Sequence, residues 1–189
     1  MLLSFLKGRR GILIPFSVSF ALVIFLSLIG VEWGVSLSMA TFVGSITVAE
    51  GVARALWEDG AVYRLTMRYG NSGTLFLMSA AVFVVSSILN VLVSAVVSVV
   101  SSAPVYAFAP GIAVWTLSSS LLCTLTSAMG EVAGVSMGFI AAVLQVPLLV
   151  GFYGYLSGGD PVVNLGLLTV MGVFYVSFMG VFADTLMEG

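Results

Sequence analysis

Histidine is absent from this chain, and cysteine occurs once, at Cys123. The first absence excludes a histidine general base, a histidine zinc site and a histidine heme ligand. The second excludes an intrachain disulfide, and Cys123 sits in an apolar stretch that says nothing of redox compartment. Charge is scarce too: 7% of residues are Asp, Glu, Lys or Arg, where a soluble domain carries about 25%. A chain so poor in charge cannot cover itself with a surface compatible with water. It offers no basic face for nucleic acid. No Gly-x-x-x-x-Gly-Lys-Ser/Thr loop occurs, so this polypeptide is not expected to hydrolyse ATP by the P-loop route or to act as an enzyme. Nothing in its apolar segments resembles paired carboxylates suited to ion coupling.

What remains is apolar sequence: 60% of the 189 residues are hydrophobic, and mean hydropathy is +1.22. This predicts a polytopic membrane protein forming one domain over 1–189. A span needs about 20 mainly apolar residues. Six such runs occur, near 12–28, 35–52, 74–100, 106–128, 135–156 and 162–183. In lipid the backbone must satisfy its own hydrogen bonds, so long continuous runs read as helices and the fold class is all-α. The third run is too long for one perpendicular span; it tilts or extends beyond the hydrocarbon. Connectors are short except for 53–73. The apolar run after Arg10 continues without a small-residue cleavage site, so a removed signal is not expected.

Six cations set the expected orientation. Lys7, Arg9 and Arg10 precede the first span; Arg54, Arg64 and Arg68 follow the second. Lys and Arg collect on the cytoplasmic side. Six spans then place both termini and the 53–73 loop inside, leaving Glu32 and Asp160 to the outer loops. The expected location is the cytoplasmic (inner) membrane. Leu2, Leu3, Phe5 and Leu6 beside Lys7, Arg9 and Arg10 read either as a short N-terminal interfacial helix or as an ordinary basic flank.

The 53–73 loop holds most of the candidate residues. Glu50 is placed to pair with Arg54 four residues on. Trp57, Glu58, Asp59 and Gly60 read as a turn, and Tyr63, Arg64 and Arg68 follow on a short amphipathic helix whose charges suit its dipole. Gly70-Asn71-Ser72-Gly73 breaks that helix before the third span. The segment reads either as a helix gripped by a cytoplasmic motor or as a solvated loop whose aromatics anchor at the interface. Inside the spans, Ser86, Asn90, Ser94, Ser98 and Ser102 recur every four residues, a spacing that lets helices pack closely and hydrogen-bond. Asn90 and Gln145 are carboxamides deep in apolar sequence, and each needs a partner there. They mark a helix interface or a substrate path. Pro147 would kink span five.

Several of these pieces resemble the membrane subunits of ABC-2 type exporters, and most closely the heme exporter protein B family of cytochrome c maturation. The basic segment before span one resembles that family's N-terminal elbow. Glu50, Arg54 and Trp57-Glu58-Asp59-Gly60 resemble its Glu-Arg and Phe-Glu-Asp-Gly signature. Thr124-Leu125-Thr126 with the Met129–Gly134 turn resembles its link between spans four and five, and Val146-Pro147-Leu148 its Leu-Pro-Leu. The family's second proline is replaced near Gly151, and its basic residues after span four are missing. The resemblance implies a permease subunit present in two copies, driven by a separate ABC ATPase docked on Trp57–Arg68. It implies a heme-handling membrane partner, with heme reaching the complex through that partner and no cofactor bound here directly. A non-transporting scaffold that couples ATP hydrolysis to release of a heme-carrying partner, an exporter of another substrate, and a gradient-driven carrier are the alternatives.

Overall fold

The computed structural model describes residues 13–133 and 138–187. The proposed N-terminal interfacial helix with Lys7, Arg9 and Arg10, and the first residues of the fifth run, lie outside them. The described chain is helical, with no strand among these residues. Its helices are α1 (Leu13–Leu28), α2 (Trp33–Glu58), α3 (Ala61–Ser101), α4 (Ala109–Ala133), α5 (Gly138–Leu156) and α6 (Pro161–Met187); a 3-10 turn at Val105–Phe108 leads into α4. Five stretches are long and apolar enough to cross a bilayer, and α1 is a shorter apolar helix. The chain is a multi-pass membrane protein.

α4 is the centre of the bundle. It packs against α2, α3, α5 and α6, while α1 rests on α2 and α3. Every residue from Ser118 through Ala128 is buried. This is the Ser/Thr-rich part of the chain, and its hydroxyls turn back on their own helix: Ser120 donates to Thr116 O at 2.6 Å and Thr124 to Ser120 O at 2.7 Å. Polar side chains are thereby tolerated without water. Ser118 instead reaches across to Leu168 O at 2.9 Å on α6, where a β-carbon at Gly172 would stand only 2.6 Å from the Ser118 hydroxyl oxygen. Between α1, α2 and α3, a β-carbon at Gly44 would lie 2.5 Å from Leu89 Cδ2 and 2.7 Å from Ser19 Oγ. Small residues set how closely these helices approach.

The 53–73 connection differs from the expected loop. α2 continues through Glu58, and only Asp59 and Gly60 separate it from α3. Arg54 marks where side chains leave the apolar zone, but Val52, Ala53 and Ala55 remain buried and nothing breaks the helix before Gly60. α3 is two helices joined at Gly70, whose φ of 72° and ψ of 175° suit essentially only glycine. Past that break, 71–101 is about 46 Å long at 1.5 Å per residue, well beyond the roughly 30 Å hydrocarbon core.

Candidate functional site: the α2–α3 tip and the buried carboxamides

The tip joining α2 to α3 is built by backbone geometry. Gly60 adopts φ 62°, its N–H bonds Trp57 O at 2.9 Å, and Asp59 N–H bonds Ala55 O at 3.3 Å. A side chain at φ > 0 is costly, so glycine makes this two-residue turn possible. Glu58 and Asp59 are exposed at the tip, Arg54 is exposed one turn back on α2, and Glu50 and Trp57 are half-buried.

Residues 61–69 then form a short elbow. Thr66 and Thr74 hydroxyl oxygens are 3.3 Å apart, though eight residues of straight helix would separate them by about 12 Å along the axis. The chain therefore bends sharply at Gly70. Thr74 donates to Gly70 O at 2.9 Å, which leaves Thr66 as the donor across the corner. Val62 is the one buried residue of the elbow, while Tyr63, Arg64, Met67, Arg68 and Tyr69 are exposed. The Arg68 guanidinium lies 5.2 Å from the Tyr69 ring centroid, a cation–π distance.

Beside the tip is a cleft of about 370 Å³. Trp57, Gly60, Val62, Tyr63 and Thr66 line one side, and Glu131 and Val132, from the end of α4, the other. Glu131 is the residue the sequence reading left out of the site. Its signal was present, a lone carboxylate ending an apolar run on the same side as the tip. By contrast Thr124 and Thr126, likened above to a link between spans, are buried in the middle of α4. Met129 to Ala133, expected as part of a turn, continue α4 as helix, and residues 134–137 lie outside the described residues.

The buried polar candidates occupy two separate places. Asn90 on α3 donates to Thr116 Oγ1 at 2.8 Å, and the Thr116 hydroxyl in turn donates a hydrogen bond to Ile112 O at 2.6 Å. Asn90 Oδ1, and the hydroxyls of Ser86 and Ser94 one turn to either side, have no hydrogen-bond partner. Ser98 leaves the stripe to bond Ala103 O at 2.9 Å, and Ser102 takes the left-handed cap position at φ 51°. Gln145 on α5 uses both amide hydrogens, on Ser45 Oγ of α2 at 3.3 Å and on Cys123 Sγ of α4. Ser45 donates onward to Phe42 O at 2.9 Å, and Gln145 Oε1 is left unpaired. Thr116 and Cys123 are seven residues apart on α4, about 10 Å along its axis, so the two carboxamides do not form one constellation.

Pro147 lies within α5, which stays helical around it. In the preceding turn, which proline loosens by removing an N–H, Leu144 O accepts a 3.1 Å bond from the Tyr175 hydroxyl of α6. All these intramembrane groups are neutral donors and acceptors, suited to joining helices and orienting a polar guest rather than to acid–base chemistry. No protein-family model, curated protein or solved structure matches this chain.

Proposed function

We propose that this chain is the permease subunit of an ATP-driven exporter resembling the ABC-2 type, moved by a separate ATPase that docks on the Trp57–Gly60 tip. One observation carries the reading. The tip is a tight two-residue turn between helices that presents Glu58 and Asp59 outward, with a 370 Å³ cleft opening beside it. A docked motor would find a firm handle there, continuous with α2 and hinged to the third span at Gly70. Closure of an ATPase pair would push the tip and shear packed helices past one another. In this reading the tip and both termini face the cytoplasm, as the distribution of Lys and Arg favours, and two copies work together in the inner membrane.

Resemblance to the heme exporter family adds cytochrome c maturation as the context. In that context heme ligation falls to a membrane partner, an arrangement that fits a chain with no histidine and with Cys123 buried, its sulfur accepting from Gln145. The alternative is a scaffold, in which ATP hydrolysis releases such a partner without flux. The test is co-purification with an ATPase encoded beside this chain. Glu58→Lys and Asp59→Lys should insert normally but lose most of the bound ATPase and of the coupled activity. Full retention of both in both variants removes the docking assignment. In reconstituted vesicles, ATP-dependent flux supports the exporter, and nucleotide-dependent release of a partner without flux supports the scaffold.

A further inference from the structure

The elbow presents an exposed face that meets the tip at one end, where Tyr63 also lines the cleft and Arg64 Nη1 stands 3.9 Å from the place of a β-carbon on Gly60, and runs away from it through Met67 and Arg68. At 100° per residue, Tyr63 and Met67 form one short stripe, and Arg64 and Arg68 the stripe beside it. Tyr63 is 70% exposed and Met67 74%. Between Ala61 and Gly73 there is no acidic residue, so this stretch carries only positive charge. The bend at Gly70 holds the elbow at the end of its own membrane span, with Thr66 against Thr74. We propose that this face is a docking surface for anionic phospholipid, with acyl chains against Tyr63 and Met67 and the headgroup phosphate on Arg64 and Arg68.

An apolar stripe flanked by cations is the pattern of a helix lying in the membrane interface. Guanidinium groups match phosphate oxygens through paired N–H donors, with the charge retained at any physiological pH. The Arg68 guanidinium lies over the ring of Tyr69, itself exposed. The acidic pair Glu58 and Asp59 sits on the turn at one end of the elbow, so the proposed lipid surface adjoins the proposed motor surface at Tyr63 and Arg64 and parts from it toward Met67 and Arg68.

The test places a single bimane-labelled cysteine at position 67, by Met67→Cys in a Cys123→Ser background, in vesicles of phosphatidylcholine with brominated phosphatidylcholine or phosphatidylglycerol. A label introduced by Val91→Cys, on the exposed surface of the third span, is the lipid-facing control. Shallow-brominated chains should quench the label at 67. Phosphatidylglycerol should be preferred over phosphatidylcholine, by about fivefold for each arginine. Arg64→Gln with Arg68→Gln should abolish that preference while leaving quenching by phosphatidylcholine. A label introduced by Tyr63→Cys gives an independent reading where the first perturbs insertion. Three results overturn the proposal: labels at 63 and 67 unquenched while that at 91 is quenched, a phosphatidylglycerol preference that survives loss of both arginines, or a face shielded only when a soluble ATPase is added. Loss of ATPase from the Glu58 and Asp59 variants tests the motor surface alone, so the two readings can fail separately.

Discussion

The corner at Gly70 gives the sharpest quantitative test. Gly70→Ala forces a β-carbon into a backbone region that side chains avoid, at a cost of about 1–3 kcal/mol. Open space surrounds Gly70, with no atom within 4 Å of an added β-carbon. The penalty is therefore backbone strain and not a clash. Taking about 2 kcal/mol, the balance between bent and straightened chain shifts by about thirtyfold toward the straight form. Straightening moves Thr66 from 3.3 Å to about 12 Å from Thr74. Paired Thr66→Cys and Thr74→Cys substitutions, in a Cys123→Ser background, turn that distance into a yield of oxidative cross-linking. With Gly70 present the pair should close rapidly under mild oxidation. With Gly70→Ala the rate should fall at least severalfold while melting in detergent changes little. Failure to cross-link with Gly70 intact, or equal rates with and without it, would refute the corner and the elbow built on it.

Packing yields three further expectations, each read by thermal or steric-trap unfolding. Gly44→Ala should destabilise by about 1–3 kcal/mol through overpacking on Leu89, and combination with Leu89→Ala should cost at least about 1 kcal/mol less than the sum. Trp115→Ala should cost about 3–5 kcal/mol, because the ring is fully buried and stacked 4.9 Å from Phe152. Trp115→Phe should cost far less, since it discards an indole N–H that has no partner. Asn90→Leu removes one bond to Thr116 but also an unpaired buried oxygen. Its stability should stay within about 1 kcal/mol of the parent, so reduced turnover in a folded Asn90→Leu complex would assign Asn90 to the working path.

The sequence announced that several apolar helices exist but not which of them lies inside. Hydropathy reports preference for lipid over water, and a helix wrapped by other helices need not be very apolar. In the most apolar window of 105–133, 61% of residues are buried, against 22% for 161–181. The Ser/Thr run from Thr116 to Ser127 was the available clue to the centre. The turn at Gly60 and the break near Gly70 were legible because glycine has few other reasons to stand there. Arg54 misled about the end of α2, since charge marks a change of surroundings and not the end of a hydrogen-bonded ladder. The Thr66–Thr74 contact and the Tyr175 bond beside Pro147 were hidden. Each depends on an angle or a neighbour that no local pattern encodes.

Because α2 runs unbroken from Trp33 to Glu58, it acts as a stiff rod about 39 Å long. Thrust applied along it near Glu58 would be delivered at its far end. There the Trp33 ring lies 5.3 Å from Phe108, which in turn meets Tyr155 edge-on at 5.8 Å. Rearrangement of those three rings, at the opposite mouth of the bundle, is where the work of a motor would first be visible.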